Sequence, residues 1–243
     1  MLSLDAFNLL LDPEHEHACQ QLIQDLGIAP VSPSTDLTCR FLLIFDHQSR
    51  LGLIDCEADR RRPYYPEISA RRQNQGIDPL MRAIGHRANL VVDCTGGWGI
   101  DAAHIAAHEI PVVAVEQQPV VHALVKNALN RCDNDKITKN LSWLQGNSIE
   151  YLEKMNSAAE VIYIDPMYPP RPGSAAPKKP LKLLQAMSAG DQQDHVALLK
   201  LALRSASRRV VVKRPHYAAP LLPGKTGSTE SKLVRFDIYP TSS

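Results

Sequence analysis

The stretch that decides the fold is LVVDCTGGWGIDAAHIA, which occupies residues 90–106. It begins with a continuous apolar run ending in Asp93, and such a run is typical of a strand buried on both faces of a parallel sheet. Three glycines lie between residues 96 and 99, where they permit a tight turn and close approach of a ligand to the backbone. A helical pattern starts at Ala102. Strand, glycine turn and helix in this order predict the first unit of an open α/β sheet.

The same alternation continues to the end of the chain. Further apolar strands are predicted at residues 112–115, 141–144, 161–164, 210–212 and 234–239. Helices are predicted at residues 78–85, 102–108, 119–129, 149–155, 181–187 and 196–206. Continuous apolar strands separated by helices predict a doubly wound, mostly parallel sheet covered on both faces. We therefore expect a Rossmann-like α/β domain over residues 76–243.

The first 75 residues have a different pattern and predict a small α+β appendage. Asp12-Pro13 has the form of a helix start, and Gly27 ends the helical spacing that follows. Apolar runs at residues 37–45 and 51–56 are separated by a polar segment, which predicts a β-hairpin. A basic connector with two prolines, at residues 60–66, cannot continue a regular element. The predicted domains are therefore 1–75 and 76–243.

Composition excludes several classes of protein. Hydrophobic residues make up 44% and charged residues 22% of the chain, as in ordinary globular proteins. No apolar run approaches the roughly 18 residues that a membrane-spanning helix needs, and the first residues lack the pattern of a secretory signal. Five cysteines without a CxxC pair indicate reduced thiols and a cytoplasmic location. His104 and His108 lack the acid of an HExxH motif, so we expect no metal.

Positive charge is concentrated in two segments. Residues 60–87 contain seven Arg or Lys and two acids, and residues 171–214 contain ten Arg or Lys and two acids. Their net charges are +5 and +8, so the remainder of the chain carries −12 within a total of +1. Such segregation favours a polyanionic partner, of which nucleic acid is the main candidate. A solvated basic face explains charge alone equally well.

Polar residues follow each of the predicted strands, where ligands bind in open α/β sheets. Glu116 ends the second strand and is placed to accept hydrogen bonds from ribose hydroxyls. Asn147 and Ser148 follow the third strand and could contact an adenine edge, and Asp165 ends the fourth. Each could be a simple helix cap. Polar residues at the ends of successive strands fit a site for a nucleoside cofactor better than they fit a set of independent helix caps.

Two cofactors compete for this edge. The sequence Gly97 to Ala102 matches GxGxxA, which would place a dinucleotide pyrophosphate at the first helix N-terminus. However, Asp93 and Asp101 put negative charge where that pyrophosphate would lie. S-adenosylmethionine has no phosphate and carries an ammonium and a sulfonium group. Carboxylates stabilise those charges, so the acids favour S-adenosylmethionine, held by Asp93, Gly97, Asp101, Glu116, Asn147 and Ser148.

The tetrapeptide Asp165-Pro166-Met167-Tyr168 predicts the chemistry. It resembles the [DNS]PP[YF] motif of methyltransferases that modify exocyclic amines of bases. Such an amine is a poor nucleophile, because its lone pair is delocalised into the ring. Asp165 and the carbonyl of Pro166 can accept its two N–H bonds, and Tyr168 can stack on a base flipped out of its helix. Asp165 could instead contact the methionine end of the cofactor.

Basic residues follow the tetrapeptide and the fifth strand. Phosphate contact is the natural use of such residues on the same edge of the sheet. The alternative is an exposed loop without a ligand. The residues predicted to bind RNA phosphates are Arg171, Lys178, Lys179, Lys213 and Arg214.

Four segments together resemble the RsmJ family of bacterial 16S ribosomal RNA guanine-N2 methyltransferases. They are VVDCTGGWGIDA, VIYIDPMYP, RVVVKRPHY and RFDIY, which begin at residues 91, 161, 209 and 235. The resemblance extends over roughly residues 60–240. It implies S-adenosylmethionine as cofactor and the small-subunit ribosomal RNA as substrate. Residues 1 to about 58 match poorly, which suggests a lineage-specific appendage.

The resemblance also implies particular cofactor contacts. They are the pair after the glycine turn, the pair after the second strand, the pair after the third strand and the acid after the fourth: Ile100 and Asp101, Glu116 and Gln117, Asn147 and Ser148, and Asp165. This chain departs from the family at four positions. Ile100 replaces an arginine, Gln117 a basic residue, Asn147 a serine and Tyr168 a phenylalanine. Ile100 can therefore contribute only its backbone.

Three functions follow from these observations. The first is methylation of a guanine exocyclic amine in 16S ribosomal RNA, free or in the assembling small subunit. The second is methylation of another amine, in a different nucleic acid or a protein. The third is a catalytically silent RNA-binding module that kept the fold.

Overall fold

The computed structural model describes residues 3–34, 39–58, 60–70, 78–168, 178–188 and 194–241. Within them the helices are α1 Glu16–Leu26, α2 Pro79–Ile84, α3 Ile100–Ala106, α4 Pro119–Leu129, α5 Asp135–Asn140, α6 Ser148–Lys154, α7 Lys179–Met187 and α8 His195–Ser205. The strands are β1 Phe7–Leu10, β2 Ala29–Val31, β3 Phe41–Phe45, β4 Leu51–Asp55, β5 Val91–Asp93, β6 Val112–Glu116, β7 Leu141–Gln145, β8 Ala159–Ile164, β9 Ala206–Pro215, β10 Gly227–Glu230 and β11 Val234–Pro240. None of the helices in these ranges is long and apolar enough to cross a membrane.

The chain forms two compact units, and neither is continuous in sequence. The first contains Met1–Ile68, Gln118–Arg131 and Pro170–Gln192, and the second contains Ser69–Gln117, Cys132–Pro169 and Gln193–Ser243. Helices α4 and α7 thus belong with the N-terminal segment. The division into domains 1–75 and 76–243 stays a prediction.

The second unit is built on a seven-stranded sheet with the order β10-β11-β9-β8-β5-β6-β7. The five strands from β9 to β7 are parallel, whereas β11 is antiparallel to β9 and β10 is antiparallel to β11. The prediction of a doubly wound, mostly parallel sheet is confirmed. Strand order reverses beside β5, which is the switch point where ligands bind in such sheets.

Both faces of this sheet are buried, as the apolar strands require. Val91 belongs to a core cluster that includes buried residues of α2 and α3, whereas the adjacent Val92 belongs to a cluster with residues of α6 and α8. Neighbouring residues of a strand point to opposite faces. The valines of β5 therefore pack against helices on both faces of the sheet, and Asp93 lies at the carboxyl end of the strand.

The glycine turn after β5 combines two backbone requirements. Gly97 and Gly99 have φ angles of 51° and 72°, in the left-handed region that glycine adopts without strain. Gly96 has a different role, because a Cβ there would lie 2.8 Å from the Trp143 ring and 3.1 Å from the Val115 carbonyl oxygen. The missing side chain at residue 96 allows the turn to pack on its neighbours.

The first unit contains a four-stranded sheet with the order β2-β1-β3-β4. β1 is parallel to both β2 and β3, and α1 is the crossover between β1 and β2. β3 and β4 form the predicted antiparallel hairpin. Its turn is closed by Asp46, which accepts hydrogen bonds from the backbone amides of Gln48 and Arg50 and forms an ion pair with the Arg50 side chain. These contacts lower the pKa of Asp46 to about 2.

Four elements were not predicted from the sequence: β1, β2, α5 and β10. β1 and β2 have four and three residues, and β2 includes Pro30, which is usually confined to sheet edges. α5 is the polar segment DKITKN, and the preceding residue, Asn134, is its N-cap. β10 is GSTE, with no apolar alternation. Tertiary pairing, rather than local propensity, determines these elements.

A substitution at residue 96 tests the packing of the glycine turn. We expect Gly96→Ala to lower the free energy of unfolding by about 1–3 kcal/mol, because the new Cβ must displace the Trp143 ring. Gly146→Ala is the matched control, since a Cβ at Gly146 meets nothing within 4 Å. Urea unfolding of both variants measures the difference. Equal stability of the two variants would contradict this account of Gly96.

Candidate active site

The predicted site residues of the second unit lie at the carboxyl ends of adjacent strands. Asp93 ends β5, Glu116 ends β6, and Asp165 follows β8 directly. Since β8, β5 and β6 are neighbours and parallel, their ends meet at one edge. Asp101 reaches the same edge from the first turn of α3. The structure therefore brings together the acids that the sequence singled out.

Thr95 links the ends of β5 and β8. Asp93 Oδ1 accepts hydrogen bonds from the Thr95 backbone amide at 2.9 Å and from its hydroxyl at 3.1 Å. The same Thr95 hydroxyl accepts a hydrogen bond from the Asp165 backbone amide at 2.7 Å. Thr95 was not predicted from the sequence. The Asp-x-Thr spacing is the available signal, because an Asp side chain readily bonds the backbone two residues later.

Lys213 forms ion pairs with both Asp165 and Asp101. Its Nζ lies 2.7 Å from Asp165 Oδ2 and 2.9 Å from Asp101 Oδ2. Asp101 Oδ2 also accepts a hydrogen bond from the Tyr163 hydroxyl at 2.6 Å. Tyr163 is fully buried in β8, and a buried tyrosine hydroxyl generally requires a partner. Tyr163 therefore helps to orient Asp101 in the site, a role that was not predicted from the sequence.

Burial is the main influence on Asp93. It raises the pKa of this carboxyl from 3.8 to about 6, and the nearby Asp165 charge acts in the same direction. Hydrogen bonds from Thr95 and the positive charge of Lys213 oppose the shift. A raised pKa of this kind, at the edge where ligands bind, is typical of a functional carboxylate.

Glu116 is held by the glycine turn. Its Oε2 accepts a hydrogen bond from the Gly97 backbone amide at 2.6 Å, which fixes the carboxylate at the end of β6. Gly97 thus orients Glu116. Contact of Glu116 with ribose hydroxyls stays a prediction.

The pair after β7 has structural contacts of its own. Asn147 caps α6, with its Oδ1 accepting a hydrogen bond from the Ile149 amide at 2.8 Å, and its Nδ2 lies 3.2 Å from Gln117 Oε1. The Ser148 hydroxyl is buried and donates to the Cys94 carbonyl oxygen at 2.6 Å. Contact of Asn147 and Ser148 with an adenine edge stays a prediction. Ile100, by contrast, exposes 44% of its surface at the start of α3.

The aromatic end of the tetrapeptide is packed against Arg214. The guanidinium lies 4.4 Å from the Tyr168 ring centroid, and its Nη1 donates to the Tyr168 hydroxyl. Nη2 donates to the Ala219 carbonyl oxygen. Burial raises the pKa of Tyr168 to about 12, so its hydroxyl stays protonated at neutral pH.

The predicted phosphate contacts fall into different environments. Lys213 and Arg214 bind Asp165 and Tyr168 inside the second unit, and their contact with phosphate stays a prediction. Lys178 and Lys179 belong to the first unit, where Lys178 is exposed and Lys179 Nζ donates to the Arg62 carbonyl oxygen. Burial and the charge of Arg62 lower the pKa of Lys179. Arg171 lies outside the described residues.

The arrangement fits S-adenosylmethionine better than a dinucleotide. Among the described residues of this cluster, the three carboxylates of Asp93, Asp101 and Asp165 are accompanied by one ammonium group, that of Lys213. The excess negative charge suits a ligand with an ammonium and a sulfonium, and it would repel a pyrophosphate. The described residues contain no group of three or more His, Cys, Asp or Glu that could hold a metal ion.

Comparison with known proteins gives the same class. A family model described as "Putative SAM-dependent methyltransferase" matches residues 47–241. A ribosomal RNA small subunit methyltransferase J from Nitrosococcus oceani is 34% identical, over 94% of this chain and 95% of its own length. A protein of the same name from Legionella pneumophila is 41% identical over 61% of this chain and 62% of its own. The crystal structure of a SAM-dependent methyltransferase from Neisseria gonorrhoeae has a TM-score of 0.75 at 25% identity, covering 97% of this chain and 96% of that one.

Fold and site together define a Rossmann-like class I methyltransferase that uses S-adenosylmethionine. Within this class, the chain belongs to the ribosomal RNA small subunit methyltransferase J family, and the resemblance to RsmJ is confirmed. The expectation of a lineage-specific appendage was wrong. A match over 94% of this chain must include most of the first 58 residues. β1 and β2 have four and three residues, so the segment has little local pattern from which it could be recognised.

Replacement of Asp93 tests the buried charge. Because the folded pKa is about 6 and the ordinary value is 3.8, the folded state binds more protons between those values. The stability from this group is therefore complete below about pH 4 and is lost as the pH rises through about 6. We expect Asp93→Asn to raise the free energy of unfolding near neutral pH by about 2–3 kcal/mol and to leave it unchanged near pH 4. Urea unfolding at the two pH values checks this.

The same variant should bind S-adenosylmethionine more weakly, because a carboxylate has been removed from the site. Titration calorimetry measures that loss. Asp135→Asn is the matched control, since the Asp135 side chain is 83% exposed in a surface ion pair. An equal stability change at both pH values would contradict the assignment of the pH dependence to Asp93.

Proposed function

We propose that this protein transfers the methyl group of S-adenosylmethionine to the exocyclic N2 amine of a guanine in 16S ribosomal RNA. The observation that carries the proposal is the position of Asp165. Its carboxylate lies at the carboxyl end of β8, in the network of Asp93, Asp101 and Lys213, and directly before Pro166 and Tyr168. Acceptor atoms for an amine thus lie beside the acidic cluster that suits the cofactor.

The chemistry assigned to Asp165 and Pro166 is the localisation of a lone pair. S-adenosylmethionine supplies an electrophilic methyl group on a sulfonium. The Asp165 carboxylate and the Pro166 carbonyl oxygen accept the two N–H bonds of the amine, which turns its lone pair towards that methyl group. An N–C bond forms as the S–C bond breaks, and the amine proton passes to Asp165 or to water. Positioning of this kind is the main contribution that a protein makes to an in-line transfer.

Tyr168 is the proposed stacking partner for the target base. Arg214 covers one face of its ring, so the base stacks on the opposite face. Stacking on an aromatic ring is the usual way in which proteins hold an unpaired base. A guanine in a helix must first be flipped out of its stack.

The proposed partner is 16S ribosomal RNA, either free or in the small subunit. Two basic segments, with net charges of +5 and +8, support a polyanionic partner. Of the residues predicted to contact phosphate, Lys178 and Lys179 keep this proposed role, as does Arg171. Action on ribosomal RNA implies a cytoplasmic location. The tetrapeptide supports an exocyclic amine as the target, and the choice of guanine N2, which is the finer part of the proposal, comes from the resemblance to the RsmJ family.

An Asp165→Ala variant tests the proposed function, because Asn would keep an oxygen that accepts an N–H bond. We expect it to lower kcat at least 100-fold, because the carboxylate that accepts the amine hydrogen is lost. The assay measures transfer of tritiated methyl groups from the cofactor to 16S RNA and to small subunits from a strain that lacks the gene. Nucleoside mass spectrometry of the product identifies the modified atom, and we expect N2-methylguanine. Asp135→Asn is the control with full activity.

Complementation separates the alternatives. In a strain lacking the gene, the wild-type protein should restore N2-methylguanine in 16S RNA, and Asp165→Ala should not. Restoration by both proteins would favour the catalytically silent RNA-binding module. Label that appears in protein or DNA instead of RNA would favour a different amine as substrate.

A further inference from the structure

β9 runs beside the strand that carries the tetrapeptide. Ile164, the last residue of β8, pairs with Val212 of β9, so the next two residues of β9 lie alongside the start of the tetrapeptide. Those residues are Lys213 and Arg214. Successive side chains of a strand point to opposite faces, so this pair can reach the tetrapeptide from two sides.

Lys213 holds the first residue of the tetrapeptide. Its ammonium donates to Asp165 Oδ2 at 2.7 Å and to Asp101 Oδ2 at 2.9 Å, with 20% of the side chain exposed. Asp101 is itself fixed by the Tyr163 hydroxyl. A contact of Lys213 with an RNA phosphate would require the ammonium to leave both carboxylates, which lie within hydrogen-bond distance of it.

Arg214 holds the last residue of the tetrapeptide. Only 7% of Arg214 is exposed, and its guanidinium both covers the Tyr168 ring and donates to the Tyr168 hydroxyl. The Tyr168 hydroxyl also lies 3.4 Å from the Lys213 carbonyl oxygen. A planar guanidinium can stack and donate at the same time, which an ammonium group cannot do.

A second arginine fixes the segment that supports Arg214. Arg235 donates to the carbonyl oxygens of Pro215, His216 and Ala218, and Arg214 donates to that of Ala219. The charge of Arg235 is balanced by Asp237, which is fully buried. These hydrogen bonds fix the backbone that follows β9. The Arg214 guanidinium is therefore held by the Tyr168 hydroxyl at Nη1 and by this backbone at Nη2.

We propose that Lys213 and Arg214 are positioning residues that hold the two ends of the tetrapeptide Asp165–Tyr168, rather than contacts for RNA phosphate. The inference rests on the proposed function, in which Asp165 accepts the amine hydrogen and Tyr168 stacks on the base. Lys213 sets where the acceptor lies, and Arg214 sets the plane of the ring. A displacement of about 1 Å at either end is enough to lower the rate of transfer about 100-fold.

Kinetics and salt dependence distinguish positioning from phosphate contact. We expect Lys213→Met and Arg214→Lys to lower kcat at saturating RNA at least 10-fold, with the salt dependence of RNA binding unchanged. Lys213→Arg keeps a cation between Asp101 and Asp165, so it should recover a large part of kcat. The double variant Lys178→Met/Lys179→Met is the contrasting case. It should raise KM for RNA and lower the slope of log K against log salt by about one per lost phosphate contact, with kcat retained.

Two controls exclude loss of folding as the cause of a lowered kcat. Lys139→Met, which removes a lysine that is 73% exposed, should behave as the wild type. The concentration of folded enzyme is counted by the stoichiometry of S-adenosylmethionine binding, and kcat is expressed per binding site. A kcat per site equal to that of the wild type in both Lys213→Met and Arg214→Lys would overturn the inference. A reduced salt slope with unchanged kcat would overturn it in favour of phosphate contact.

Crystal structures of the variants give a test that needs no RNA. We expect the Asp165 carboxylate to move by about 1 Å or more in Lys213→Met, and the Tyr168 ring to do so in Arg214→Lys. Side chains that stay in place would overturn the inference even if the enzyme methylates guanine. Failure of the wild-type protein to methylate 16S RNA would instead overturn the proposed function, while the crystallographic test of Lys213 and Arg214 would still apply.

Discussion

The placement of three carboxylates at one edge of the sheet, with Asp93 buried, is the constraint on which the rest of the site depends. Parallel strands deliver Asp93 and Asp165 to one edge, and α3 adds Asp101. Among the described residues of this cluster, only the Lys213 ammonium lies between two of these acids, and the third remains buried with a pKa raised to about 6. The described part of this cluster thus contains more carboxylate groups than ammonium groups. This clustered negative charge lowers the stability of the folded protein without a ligand. Binding of a cationic ligand offsets that cost.

The sheet could be predicted from the sequence because its strands are continuous apolar runs. Burial on both faces leaves an unambiguous pattern at β5, β6, β8 and β9, and glycine and proline mark the ends of the helices between them. The same logic fails for β10, whose residues GSTE are held in place by pairing with β11. The discontinuous first unit was also beyond prediction, because long-range packing leaves no local pattern.

At the site, residue types could be predicted but their partners could not. The acids at the strand ends were identified from position alone, since topology places all carboxyl ends on one edge. The direction of a long side chain is set by its neighbours. Lys213 and Arg214 look like phosphate ligands in the sequence, yet Asp165 and Tyr168 bind them within the protein. Thr95 was overlooked because its role depends on the approach of β8 to β5.

The discontinuity of the first unit has a consequence for synthesis of the chain. This unit draws on Met1–Ile68, Gln118–Arg131 and Pro170–Gln192. Translation delivers these segments in order, so the unit lacks its last segment until about four fifths of the polypeptide has left the ribosome. Four strands of the large sheet, β5, β6, β7 and β8, emerge before that point. Segments of both units are therefore outside the ribosome before either unit is complete, unlike in a chain whose domains emerge one after the other.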